Sequence, residues 1–420
     1  MKRLGALTCV VVTLFVALAL TVRMAGQERP MVGKARHYTV HDLGTLGGTF
    51  SWAYSINNKG SITGFATLPG DTANRAFLWR KGVMTDLGTL GGPNSTAIYV
   101  INERDEIAGA AETTAPDPFG EDFCGFGTFL TCAPFLWRSG SMTPLPTLGG
   151  NNGQASSVNN RGLVVGGVEN STPDDCGIHL FQRKPVIWKN GQIEELPVLS
   201  GDTLGFAYGI NDHGQSVGTT NTCTVAHALL WENGTVTDLG NLGGTISVAN
   251  NINNRGQVFG DSYLPGDLTN HAFLWQKDMG MKDLGTLPED FSSVAWGIDN
   301  KGRVVGTSCD ESGNCRAFLW QNGVMTDLNT LIPADSPWFL VEADWINARG
   351  EIVGLAFNIV TGEGHAFLAT PRHCGSGARC EALAPQSNNR ARPTVVLPKN
   401  IRKLLQQRQG SRFGGPMGPR

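Results

Sequence analysis

The sequence predicts an all-β protein, a seven-bladed β-propeller of four-stranded blades closed by a strand from its N-terminal side. Three observations predict it. A phrase of the Ala-Phe-Leu-Trp kind occurs seven times, at 76–79, 134–137, 185–188, 228–231, 272–275, 317–320 and 366–368, and most copies are followed by a DLGTL-like strand. An Asn or Asp recurs at 57, 102, 159, 211, 253, 299 and 347, with spacings of 45, 57, 52, 42, 46 and 48. That period suits four strands per unit. Finally, the last unit has no DLGTL strand after it, while the first DLGTL, at residues 42–46, precedes any complete unit.

Each unit then divides into four strands. The first carries an Ala before an Ile-Asn pair, as at Ala53, Ala207 and Ala343. A small residue suits the strand nearest the axis, where blades crowd. The second begins after an Asn-x-Gly turn such as 58–60 and ends near a recurring Gly such as Gly306. The third is the Ala-Phe-Leu-Trp strand, whose large residues fill the widening gap between blades. Asn322-Gly323 then turns the chain into the fourth strand, because a type I′ turn needs positive φ at both central residues. The orphan strand at residues 38–46 is expected to pair with residues 365–370 and close the ring, which removes an exposed sheet edge.

Insertions fall in one place. The connection between the second and third strands varies, as in residues 65–74, 110–132, 167–183 and 307–315, while the other turns within a blade stay short. These loops share a face with the connections between blades. One face is therefore uniform and the other elaborated, and function usually sits on elaborated loops of a rigid scaffold.

Residues 1–25 read as a signal peptide: Met-Lys-Arg precedes an apolar run to Val22, with small residues available for cleavage. The propeller is assigned to residues 31–370, and residues 371–420 to a basic, mostly disordered tail in which only 398–409 has the makings of a helix. Residues 31–370 hold 19 basic and 34 acidic residues, a balance of −15; residues 371–420 hold 10 basic and one acidic, a balance of +9. An acidic body argues against nucleic acid as a partner, and the basic tail suits an anionic surface.

Outside the apolar run there are eight cysteines: Cys124, Cys132, Cys176, Cys223, Cys309, Cys315, Cys374 and Cys380. An even number in an exported chain implies disulfides. Sequence-local pairing joins 124–132, 309–315 and 374–380, leaving 176–223. Zinc is a weak alternative, since no Cys-x-x-Cys pair is present, so neither metal nor cofactor is expected.

Candidate site residues come from the elaborated face. Trp52, Phe206, Trp296 and Trp338 lie near the connections between blades, where an exposed ring could stack on a sugar or peptide; inter-blade packing is the competing role. Acidic pairs occur at Glu121-Asp122, Asp174-Asp175, Glu289-Asp290 and Glu342 with Asp344. Two carboxylates across a propeller mouth would suit glycoside cleavage, but a solvated rim explains such pairs as well, and none has calcium-loop spacing. No nucleophile motif stands out. A basic residue or His before the third strand recurs with an acid in the fourth, as in Arg316 and Asp327, and reads as a charge-assisted pair within each blade.

The combination IN-x-x-G-x-x-x-G followed by HAFLW-x-x-G-x-M-x-DLGTLGG, with His-Ala-Phe at 271–273 and 365–367, resembles the HAF-type extracellular repeat family over residues 38–370. The resemblance implies a secreted, repeat-built protein and points to no particular activity. Units three and four depart from it at Pro146 and Pro197, where less regular outer strands are expected. The reading is an exported binding or scaffold module, secreted, periplasmic or at the cell surface. It would act as a monomer on a glycan or an envelope protein. The alternative is a secreted carbohydrate-active enzyme.

Overall fold

Seven four-stranded antiparallel sheets follow one another around a ring, one per repeat, in a computed structural model that describes residues 37–177, 179–372 and 395–411. The strands of each sheet run in sequence order from the axis outward, Ser292–Ile298, Val304–Cys309, Cys315–Gln321 and Val324–Asp327 in blade six. Blade seven is the exception. Its three strands Trp338–Ile346, Ile352–Asn358 and Gly364–Pro371 are completed by Tyr38–Asp42, paired antiparallel with Tyr38 opposite Pro371 and Asp42 opposite Phe367. The seven-bladed fold and its closing strand are therefore as the repeat predicts.

The small residues of the repeat have packing reasons. All seven inner-strand alanines are fully buried. In most blades the pairing of first and second strands shifts just after that Ala, as between Ala295 and Gly297. The shift brings an inner-strand carbonyl over the recurring Gly. A Cβ on Gly306 would lie 2.0 Å from the Val294 carbonyl oxygen, closer than any side chain tolerates. The Phe of the third strand is fully buried at Phe77, Phe135, Phe273 and Phe318, and fills the space between neighbouring sheets. Asn322 and Gly323 both take positive φ, 52° and 83°, as the type I′ turn requires.

Neighbouring blades are joined by a ring of side-chain amides on the uniform face. Asn57 Nδ2 donates to the Asn102 carbonyl (2.9 Å), Asn102 to Asn159 (3.0 Å), Asn159 to Asn211 (2.9 Å), Asn211 to Asn253 (3.1 Å) and Asn253 to Asp299 (3.0 Å). Asn347 closes the circle on the Asn57 carbonyl at 3.1 Å. Meanwhile Asn57 Oδ1 accepts from the amides of Lys59 and Ser61 and so fixes its own turn. Asp299 has no amide to donate. Arg303 supplies the missing donor: it holds Asp299 through Nε at 2.8 Å and Nη2 at 2.5 Å and reaches the Asn347 carbonyl at 3.5 Å. A second set of ties uses serines two residues before the inner Ala. Ser51, Ser95, Ser247 and Ser293 each accept from the amide of a third-strand Ala in the preceding blade and donate to a Gly carbonyl.

The charge pairs expected within blades form in four cases: Arg75–Asp86, His271–Asp283, Arg316–Asp327 and, through the closing strand, His365–Asp42. His227 instead meets Asp202 at 3.1 Å. The outer strands leading to Pro146 and Pro197, in blades two and three, are not irregular as expected. Ser141–Pro144 and Gln192–Glu195 pair in full register, and the carbonyls of Pro146 and Pro197 accept the indole N–H groups of Trp188 and Trp231. Cys124–Cys132, Cys176–Cys223 and Cys309–Cys315 are disulfide-bonded. Cys374, Cys380 and the apolar N-terminal run lie outside the described residues. No helix among the described residues is long and apolar enough to cross a membrane.

Candidate functional site

The short helix expected within residues 398–409 is present, but its place was not expected. Lys399–Ser411 is a helix, rich in Arg, Lys, Leu and Gln and preceded by Pro398. It is not free of the propeller. Leu397, Ile401 and Leu405 recur every fourth residue and are buried against Trp52, Tyr54, Phe339, Val341, Leu355 and the Cys309–Cys315 disulfide. Arg402 Nη1 donates to the Ser312 carbonyl (2.9 Å), and the Leu397 amide to Asn314 Oδ1 (3.1 Å). Both partners belong to the blade-six insertion, so the helix covers the elaborated face.

One turn beyond Leu405, on the same stripe, Arg408 enters the axis. Its guanidinium lies 3.7 Å from the ring centre of Trp296, 4.5 Å from Tyr54 and 4.9 Å from Trp52. It forms ion pairs with Glu342 and Asp344, whose side chains are 1% exposed. Trp52 Nε1 donates to Asp344 Oδ2 at 2.9 Å, which fixes the carboxylate under the cation. The residues come from equivalent places in the repeat. Trp52 and Glu342 precede the inner Ala; Tyr54, Trp296 and Asp344 follow it. Sequence repetition places them at one level, and blades one, six and seven bring them together.

Electrostatics match the geometry. Burial works to lower the pKa of Arg408, but the Asp344 and Glu342 carboxylates outweigh it and push the pKa above the usual guanidinium value. Burial raises Tyr54, so its hydroxyl stays neutral. Beside Arg408 remains a cavity of about 10 Å³, room for about one water, lined by Tyr54, Tyr99, Asn250, Asn251, Trp296 and Asp344 among others. Residues from five blades meet there, which places it on the axis.

The four aromatic candidates separate. Trp52 and Trp296 come together around Arg408. Phe206 stacks on Tyr208 (4.7 Å), and Tyr208 contacts Tyr99, on another part of the axis. Trp338 stands apart, against His365 at 5.5 Å and beside the core between blades six and seven. The expectation of exposed rings does not hold for Trp52, Phe206 and Trp296, which are 2–6% exposed. The helix and Arg408 cover the first and last of these, and Tyr208 packs on Phe206. Nothing in composition or period shows that the tail returns to the axis. The available signal was the 397, 401, 405, 408 stripe.

The other acidic pairs are engaged away from the mouth. Asp122 accepts from Gly127, and Asp174 from Cys176 and His179. Asp290 pairs with Arg316 at 2.8 Å. Near the blade-two and blade-three insertions, burial and the adjacent Glu121 push Glu169 up to about 8, while burial and Arg183 push His179 down to about 2. No group of three His, Cys, Asp or Glu side chains placed to hold a metal occurs among the described residues.

The sequence matches no protein-family model and no curated protein. Solved structures similar to it include three with propeller or enzyme names. The β-propeller domain of the Trilobed protease from Pyrococcus furiosus is 12% identical, with TM-score 0.46, over 66% of this chain and 80% of that one. Acylaminoacyl peptidase from Pyrococcus horikoshii is 13% identical, with TM-score 0.46, over 79% of this chain; the match spans about half of that enzyme, 53%. A gluconolactonase from Xanthomonas campestris is 9% identical, with TM-score 0.37, over 80% and 91%.

Proposed function

We propose that the chain is an exported binding module that holds its ligand, a glycan or an envelope protein, at the axial mouth of the elaborated face. The basic residues of the tail left outside the mouth give a further contact with anionic surfaces. One observation carries this reading: Trp52, Tyr54 and Trp296, on rigid inner strands, converge with Glu342 and Asp344 on a single side chain. Glu342 and Asp344 lie on one strand and grip the same cation. Carboxylates that cleave a glycoside instead flank the scissile bond from two sides, so the arrangement favours binding over catalysis.

A glycan and envelope-protein screen tests it. Arg408 fills the mouth, so the screen uses full-length protein carrying Arg408→Ala, where no resident cation masks a loss. Adding Trp296→Ala is expected to weaken the ligand found by roughly 30-fold, as truncating a central aromatic costs about 2 kcal/mol or more. Trp296 is 5% exposed, so its truncation also lowers the melting temperature, and binding is compared at a temperature where every chain is folded. Asn322→Ala, in a turn of the opposite face, costs about 1 kcal/mol because Ala tolerates positive φ poorly, and leaves binding alone. Binding that survives Trp296→Ala, or is lost with Asn322→Ala, contradicts the assignment.

A further inference from the structure

The group now seated in the mouth says more than the rings do. A guanidinium is flat, keeps its charge at any physiological pH, and offers several N–H donors in one plane. The mouth answers each property. Trp296 presents its face 3.7 Å from the guanidinium carbon, with Tyr54 and Trp52 further round. Glu342 and Asp344 receive the N–H groups, and Trp52 orients Asp344 from behind. Aromatic faces attract cations, most strongly where water is excluded. A buried carboxylate pair without a cation would be costly. The site is built for a cation whoever supplies it.

The helix that supplies Arg408 is held differently from the blades. It has no strand pairing with the propeller. Its hold rests on Leu397, Ile401 and Leu405, on hydrogen bonds from Arg402 and Leu397, and on Arg408 itself. The chain links it to the last propeller strand through residues 373–394, so it competes for the mouth as a covalently attached ligand. A ligand joined to its site by the chain acts as a local concentration and weakens any free competitor accordingly.

We propose that the mouth is an arginine-recognition site, that its external ligand is an arginine-bearing segment of a partner protein, and that Arg408 is a built-in competitor that segment displaces. The proposal rests on the mouth being the binding site and adds the ligand class.

The test uses full-length protein and isothermal titration calorimetry, with N-acetyl-arginine amide and a peptide copy of residues 395–411 as probes. Arg408→Ala is expected to bind both probes, the peptide at least 10-fold more tightly than wild type does, and the copy with Lys at position 408 at least 10-fold more weakly than the Arg copy. Lys lacks the planar fork that two carboxylates and three rings receive. Arg408→Met, which keeps the stem's packing, replaces Arg408→Ala should that chain unfold. Adding Trp296→Ala should abolish the difference between Arg and Lys copies. Equal binding by wild type and Arg408→Ala overturns the competitor role. Equal binding of Arg and Lys copies overturns arginine recognition. If the Arg408→Ala chain takes a glycan but neither probe, the mouth remains the site and this proposal falls. If probes bind and Trp296→Ala has no effect, the mouth itself is not the site and both fall.

Discussion

Arg303→Leu is expected to destabilise the protein by about 3–5 kcal/mol, the usual consequence of leaving a buried charge without its partner. Arg303 and Asp299 are 3% and 1% exposed and joined by two hydrogen bonds. They occupy the one place in the ring where the amide is missing. Blades four and five show what the position needs when no charge is present: Asn211 meets Gln215 at 2.6 Å and Asn253 meets Gln257 at 2.8 Å. The double variant Asp299→Asn with Arg303→Gln imports that pair. It should return to within about 1 kcal/mol of wild type, since replacing both members of a buried pair is far less costly than removing one. Urea midpoints of the three chains decide it. A double variant as unstable as Arg303→Leu would mean that the amide ring is not what joins the blades.

The second large effect concerns closure. Removing residues 1–46 strips the Gly364–Pro371 strand of its partner and takes Tyr38 and Leu43, 1% and 5% exposed, out of the core. Full burial of side chains that size contributes about 1.5–3 kcal/mol each. The loss leaves an open strand edge, the template for edge-to-edge association. The truncated chain is expected to melt at lower temperature and to aggregate in size-exclusion chromatography. A monomeric truncation with an unchanged melting temperature contradicts the closing role.

Much of the fold was legible because a repeat states each rule several times over. Period, small inner residue, turn type and missing outer strand all follow from local sterics, and each agrees with the structure. What was not legible depends on partners far away in sequence. The repeating Asn could be read as a turn residue, but its amide bonds run to the next blade. Asp299 breaks that pattern, and only the structure shows Arg303 filling in. Pro146 and Pro197 suggested irregular strands, because the local reading did not include the indoles that bond their carbonyls. At the candidate site, Trp52 and Trp296 were visible as aromatics near the axis, and Glu342 with Asp344 as an acidic pair. Their convergence needed the return of residues 395–411, which follows from no repeat.

The central claim is that ligand occupies the mouth now filled by Arg408. The most direct measurement is a crystal structure of the full-length Arg408→Ala protein with the tightest ligand from the glycan and envelope-protein screen. The account predicts ligand density against the faces of Trp52, Tyr54 and Trp296 and within hydrogen-bond distance of Glu342 or Asp344. Density on the opposite face, among the turns at Asn57, Asn253 and Asn322, with the mouth empty, would contradict it.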